Sequence, residues 1–189
     1  MFASLLQSAV PELSSRQIEA LEAHYHLLQR WNRSLNLTRI EDLEDAVERH
    51  YAESLFVGRV LESLPQGMAD IGSGAGFPGV PLAILRPDCS VTLIESHQRK
   101  AVFLKEACRK LANVRVLARR AEEVGETFDW VVSRAVSYAD LARSLPRLAP
   151  KVALLTGAEA PSVALQYLWD DPITVPWGKN RLLRVGRAA

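Results

Sequence analysis

The chain has 189 residues, with 23 Lys and Arg against 22 Asp and Glu, so its net charge is only +1 and bulk charge names no partner. That length suits one packed domain with a small addition, and 48% apolar with 24% charged residues is ordinary for a globular protein. Cys89 and Cys108 are the only cysteines, which excludes a disulfide framework or a cysteine metal site and fits a reduced, cytoplasmic setting. His24, His26, His50 and His97 show no zinc-like spacing, so no metal is expected. Neither a secretory signal nor an apolar run of about eighteen residues is expected, hence no membrane.

In chain order, Ser14 to Asn36 predicts a helix. Ile18, Leu21, Tyr25, Leu28 and Trp31 recur at helical spacing, and Ser14-Ser15 can cap it. Leu35-Asn36-Leu37-Thr38 breaks the rhythm, and a second helix is expected from about Leu43 to Leu61. Leu64-Pro65-Gln66-Gly67 reads as a linker. Residues 1–64 are therefore expected as an N-terminal helical extension and 65–189 as one compact α/β core. The core alternates: strand 68–71, helix 78–86, strand 90–95, helix 97–112, strand 114–118, strand 128–133, helix 138–148, strand 151–155. Such alternation predicts a mostly parallel sheet. Ile173 to Pro176 and Leu182 to Val185 flank Trp-Gly-Lys-Asn and read as an antiparallel closing hairpin.

The chemistry concentrates after the first core strand. Ala69 to Gly79 reads Ala-Asp-Ile-Gly-Ser-Gly-Ala-Gly-Phe-Pro-Gly. Gly72, Gly74 and Gly76 alternate, with Asp70 two residues ahead and Ser73 between. Glycines here let backbone approach a ligand where a Cβ would collide. The sixth position from Gly72 is Phe77, so the dinucleotide fingerprint fails. An acidic residue followed by alternating glycines instead resembles the cofactor loop of class I S-adenosylmethionine-dependent methyltransferases. Glu95 ends the next strand roughly twenty residues on, where nucleotide-binding folds place an acceptor for ribose hydroxyls. The alternative for Glu95 is a solvated strand end. Phe77 is expected as an exposed aromatic at the loop tip, in contact with a ligand. Arg134, past a strand's carboxyl end, lies where open α/β sheets bind ligands, unless it serves a structural ion pair. Trp31, Trp130 and Trp169 are expected in packing, as are His50 and Tyr51.

Charge is unevenly distributed. Glu41 to Glu53 is acidic, Arg99 to Arg120 is basic with a basic C-terminal tail of Lys179, Arg181, Arg184 and Arg187, and arginine far outnumbers lysine. Guanidinium groups fork onto phosphate and stack on bases, so the basic stretch fits RNA, or else it is solvated surface charge.

Several stretches resemble one family. Trp31-Asn32 with Asn36-Leu37-Thr38, Arg49-His50-Tyr51-Ala52-Glu53-Ser54-Leu55, Asp70 to Gly79 with its Phe-Pro-Gly ending, Glu95-Ser96 with Arg99-Lys100 and Phe103-Leu104, Arg120-Ala121-Glu122-Glu123, and Ser133-Arg134-Ala135 occur in order. Together they resemble the glucose-inhibited division protein B family, the bacterial 16S ribosomal RNA (guanine-N7) methyltransferases. The resemblance implies a Rossmann-like α/β class I methyltransferase fold and S-adenosyl-L-methionine as cofactor. It implies 16S ribosomal RNA or the small-subunit particle as partner, and a monomer is expected. Gly72, Phe77, Ala121, Glu122 and Arg134 would contact the cofactor, beside Asp70, Ser73, Gly74, Gly76 and Glu95 of the loop reading. Arg99 and Lys100 would sit near RNA. Two departures stand out: Glu53 replaces the usual Asp, and Thr156-Gly157 falls where the family commonly has Lys-Gly. The stretch from Ala158 to Asp171 is also short. A nicotinamide oxidoreductase is disfavoured by Phe77, and a silent RNA-binding module by the intact loop. Guanine N7 carries an exposed lone pair, so no catalytic base is assigned and positioning is expected to carry the reaction.

Overall fold

In the computed structural model, which describes residues 1–61, 67–161, 165–178 and 180–188, the capping expectation at Ser14 is met in full. Ser14 Oγ accepts the Gln17 N–H at 3.3 Å and Gln17 Oε1 accepts the Ser14 N–H at 2.9 Å, a reciprocal cap on a helix of which the hydroxyl is worth about 1 kcal/mol. The helix, α2 (Ser15–Leu35), ends where Asn36 turns left-handed at φ 48°. Ahead of it lies α1 (Phe2–Ala9), which the sequence pattern did not reveal because eight residues give little periodicity. Its Phe2 stacks on Tyr25 at 4.9 Å and meets Tyr51 edge-on at 5.0 Å.

The expected helix 43–61 is present but not uniform. Regular turns α3 (Leu43–Ala46) and α4 (Glu53–Val60) flank a π-helical segment at Val47–Ala52. A π turn widens the helix and re-aims its side chains; here it faces His50, Tyr51 and Glu53 inward. Of the linker expected at 64–67, residues 64–66 lie outside the described residues and Gly67 already belongs to the first strand.

Strands β1 (Gly67–Ile71), β2 (Ser90–Ile94), β3 (Val114–Leu117), β4 (Trp130–Arg134) and β5 (Lys151–Thr156) form the parallel sheet expected. β8 (Leu182–Ala188) adds antiparallel to β5, with β6 (Tyr167–Trp169) and β7 (Ile173–Thr174) antiparallel to β8. The order is β3-β2-β1-β4-β5-β8-β6. The closing hairpin is thus β7 with β8, and Lys179 of its expected turn lies outside the described residues, as do 162–164 of the short stretch. β6 was not foreseen; three residues carry too little alternation to flag a strand.

Register sets the site. Ile71 pairs with Ile94 on one side and Ser133 on the other, so Gly72, Glu95 and Arg134 leave the sheet along one rim. The strand order reverses between β1 and β4, the switch point where open α/β sheets leave a crevice. Helices α5 (Gly79–Leu85) and α6 (Gln98–Ala107) share one hydrophobic cluster with the N-terminal helices. The other face carries a second cluster under α7 (Tyr138–Ala142) and α8 (Leu145–Leu148). One helix over 138–148 was expected; it breaks at Arg143-Ser144. Pro146 inside a continuous helix would lose a hydrogen bond and clash with the preceding turn, whereas in the first turn of a new helix it does neither.

Candidate active site

The glycine loop is held at its end and at its middle by carboxylates. Asp70 Oδ2 accepts the Gly79 N–H at 2.9 Å, at the start of α5. A Cβ on Gly79 would lie 2.7 Å from that same oxygen, so glycine is required there for packing. Asp70 is fully buried and its Oδ1 has no partner. Burial pushes its carboxyl up to about 7, against the opposing pull of the Gly79 N–H. At the loop's middle Glu95, only 7% exposed, accepts the Gly74 N–H at 2.8 Å and the His97 N–H at 2.7 Å. That burial removes the solvated-strand-end reading. Each carboxylate oxygen keeps a further lone pair.

Along the loop Gly72, Gly74 and Gly76 all have positive φ, at 70°, 56° and 96°, a region side chains enter at a cost of about 1–2 kcal/mol. Gly72 and Ser73 donate to Ile94 O at 2.9 and 3.2 Å, tying the loop to the end of β2. Ser73 is buried, its hydroxyl donating to Asp70 O at 2.9 Å.

The loop opens on a cavity of about 280 Å³ lined by Gly72, Ser96, Arg120, Ala121, Glu122 and Val136 among others. Ala121 and Glu122 reach it from a 3₁₀ turn after β3 (Ala121–Glu123). Arg147 fixes that turn from behind by donating to the carbonyls of Ala121, Glu122 and Val124. Across Val136 lies a second cavity of about 670 Å³ over the ends of β4 and β5, with Tyr138, Thr156, Gly157 and Arg181 in its wall.

Phe77 and Arg134 are placed differently from expectation. Phe77 is 3% exposed, not a bare loop tip. Its ring stacks on His50 at 4.4 Å and 9° and meets Tyr51 and His24 edge-on, because the N-terminal helices cover the loop. Arg134 lies over the same ring, 5.3 Å from its centre. Its Nη1 donates to Arg49 O at 2.6 Å and its Nη2 to His50 Nδ1 at 2.8 Å. With Nδ1 accepting, the proton of neutral His50 sits on Nε2, 2.7 Å from Thr38 Oγ1. Burial and then the Arg134 charge hold His50 down to about 2. Neither Phe77 nor Arg134 lines the two cavities.

Under Arg134 lies Glu53, wholly buried. It accepts from Arg181 Nε at 3.2 Å and Nη2 at 2.9 Å, with Arg134 Nη1 at 4.0 Å. One carboxylate thus joins α4, the end of β4 and the approach to β8. Arg99 and Lys100 occupy the first turn of α6, Arg99 exposed and Lys100 half-buried, outside both cavities. Among the described residues no three His, Cys, Asp or Glu side chains cluster to hold a metal, and no helix is long and apolar enough to cross a membrane.

The GidB family model, described as rRNA small subunit methyltransferase G, matches residues 17–155. This chain belongs to that family. Over 158 residues it is 44% identical to ribosomal RNA small subunit methyltransferase G of Halorhodospira halophila, covering 80% of this chain and 74% of that one. The same-named protein of Desulforamulus reducens is 40% identical over 135 residues, 67% of this chain and 56% of its own. The chain therefore spans about half to three-quarters of the length of these relatives. Among solved structures, magnesium protoporphyrin IX methyltransferase from Synechocystis PCC 6803 with bound SAM superposes with TM-score 0.65 at 15% identity, over 94% of this chain and 98% of that one. A SAM-dependent methyltransferase from Aquifex aeolicus gives TM-score 0.62 at 15% identity, over 82% and 97%. These likenesses establish the class I methyltransferase fold.

Within this rRNA methyltransferase G member, Gly72, Ala121 and Glu122 of the expected site line the smaller cavity together, whereas Asp70, Ser73, Gly74, Gly76 and Glu95 line neither cavity, Glu95 reaching the loop through the Gly74 N–H. Val136 and Ser96 were not singled out, although each lies two residues past a strand end on the ligand rim and could have been found on that ground. Arg181 was read only as part of a basic tail. Its pairing with Glu53 spans 128 residues and leaves no local signal.

Proposed function

We propose that the chain transfers a methyl group from S-adenosylmethionine to guanine N7 of 16S ribosomal RNA. The observation that carries this reading is the positive-φ glycine cradle, pinned by Glu95 and opening on the 280 Å³ cavity. The residues fit that cofactor. Backbone without Cβ atoms faces the cavity at Gly72, Gly74 is held by the carboxylate, and the free lone pairs of Glu95 suit a ribose diol. Ala121 and Glu122 would flank the base, with Asp70, Ser73 and Gly76 holding the loop's shape. Phe77 and Arg134 support the site through the packing of their own side chains. When bound, the cofactor supplies an electrophilic methyl group on a sulfonium.

The second cavity would take the acceptor nucleotide, with Tyr138 and Thr156 in its wall and Arg181 facing its phosphate. Guanine N7 attacks through a lone pair and needs no proton removed. His50 could not serve as base in any case: its Nδ1 is occupied by Arg134 and its basicity is suppressed. The chain's task is alignment, with the target base reached from an unpaired or flipped nucleotide. We read residues 1–64 as a helical extension docked on a 65–189 core, acting as a cytoplasmic monomer, with Arg99 and Lys100 near the RNA.

Mapping N7-methylguanine in 16S RNA incubated with purified protein and S-adenosylmethionine tests the reading. One methylated guanine is expected. Binding of NAD with no heat signal from S-adenosylmethionine or its demethylated product would overturn it.

A further inference from the structure

The face opposite α7 and α8 carries a feature that methyl transfer does not use. Three depressions there merge into one trough. The first, about 830 Å³, and the second, about 200 Å³, share Leu27, Arg30 and Glu106; the second and a third of about 440 Å³ share Ala20, Ile84, Lys110 and Leu111. One wall is a stripe of α2 at three- and four-residue spacing, from Arg16 through Ala20, Ala23, Leu27 and Arg30 to Ser34. It lies beside the buried stripe Ile18, Leu21, His24 and Leu28, of which His24 also lines the middle depression, and runs about 27 Å at 1.5 Å per residue. Opposite stand Val102 and Lys105 of α6, then Arg109 and Lys110.

The walls are cationic and, Arg109 apart, without an acidic partner among the described residues. Arg16, Arg30, Lys105, Arg109 and Lys110 line the trough against one acid, Glu106, which pairs with Arg109 at 3.8 Å. Among the described residues no carboxylate lies within 4.0 Å of Arg16, Arg30, Lys105 or Lys110. Three exposed cations elsewhere are matched, Arg59 with Glu12, Arg115 with Glu126 and Arg187 with Asp170, and give a paired set for comparison. The floor is apolar, with Leu27 and Trp31 half-buried and Val102 53% exposed. Unpaired cations above an apolar, partly aromatic floor match a nucleic-acid strand, phosphates on the walls and a base on the floor.

The trough also leads to the site. α2 and α6 run antiparallel, with Ser34 beside Val102 at its upper end. One turn above Val102 on the same face is Arg99, two residues from His97, whose N–H binds Glu95. We propose that this trough is a track for the RNA backbone flanking the target nucleotide, an RNA contact separate from the catalytic cleft. The proposal rests on the RNA methyltransferase reading for its choice of occupant.

The test is the triple variant Arg30→Gln, Lys105→Gln, Lys110→Gln, all exposed side chains. A control triple, Arg59→Gln, Arg115→Gln, Arg187→Gln, removes the same charge elsewhere. Binding of a labelled single-stranded fragment of 16S RNA is measured at several salt concentrations. The trough triple should keep wild-type S-adenosylmethionine affinity and unfolding midpoint but bind RNA at least about tenfold more weakly. Its log–log salt slope should fall by about 2, at about 0.7 per single-strand phosphate contact, and KM for RNA should rise with kcat held. The control triple should keep the wild-type slope. Equal losses in both triples would reduce the effect to net charge and overturn the track, as would an unchanged slope in the trough triple. Loss of binding to a polyglutamate peptide with RNA affinity intact would reassign the trough to an acidic protein and equally overturn it. Wild type that binds RNA without methylating it would count against the methyl-transfer reading, while the same binding curves still decide the track.

Discussion

Replacing Glu53 by Gln removes the one negative charge between two guanidinium groups while keeping the side chain's shape. In the native structure that carboxylate accepts two charge-assisted hydrogen bonds from Arg181, at 3.2 and 2.9 Å. The Arg134 and Arg181 side chains are only 15% and 27% exposed, so water can replace little of what is lost. Two charge-assisted bonds at about 1.5–3 kcal/mol each give about 3–6 kcal/mol. Breaking one side of a buried ion pair typically costs about 3–5 kcal/mol, and the two figures agree. For a chain of this size that is a fall of about 6–20 °C in unfolding midpoint. Urea unfolding of wild type, Glu53→Gln, Arg181→Met and the double variant measures both the cost and the coupling. A coupling above about 2 kcal/mol is expected, with loss of amide protection concentrated in β7 and β8. A cost under about 1 kcal/mol with near-additive singles would show the guanidiniums to be adequately hydrated, and would refute the clamp.

Three further outcomes follow from the loop. Glu95→Ala frees the N–H groups of Gly74 and His97, and loss of a charge-assisted bond of about 1.5–3 kcal/mol should weaken cofactor binding roughly ten- to a hundredfold; calorimetry showing unchanged affinity would remove Glu95 from the site. Gly79→Ala places a Cβ against Asp70 Oδ2 and should destabilise the chain by about 1–3 kcal/mol through overpacking, whereas a midpoint equal to wild type would mean that the loop yields freely. Asp70, raised by burial from 3.8 to about 7, adds stability that is fully present below about pH 4 and lost as pH rises through 7. His24, lowered by burial from 6.5 to about 4, works the other way, its contribution present above 6.5 and lost as pH falls through 4. Asp70→Asn abolishes only the first, so its stability relative to wild type should climb between pH 4 and 7, at most about 1.4 kcal/mol per unit; a flat difference in urea titrations across that range would contradict the buried carboxyl.

Local chemistry alone determined much of this protein. Alternating strand and helix patterns predicted the five parallel strands and the closing hairpin. The Ser14 cap, the glycine run with Asp70, and Glu95 all act over a few residues or at a fixed strand–helix spacing, which is why they were legible. Features that depend on which element covers which were decided only by the tertiary structure. Phe77 reads as an exposed loop tip, yet the helices of the first sixty residues bury it under His50 and Arg134. The π turn at Val47–Ala52 follows ordinary helical residues and shows itself only in the inward placement of His50 and Glu53. Arg181 looks like one more basic residue of a tail until Glu53, 128 positions away, is found against it. The cationic trough is likewise split between α2 and the region from α6 to Lys110. Hydrophobic periodicity is a property of neighbouring residues, whereas the burial of one charge against another arises only when distant segments meet.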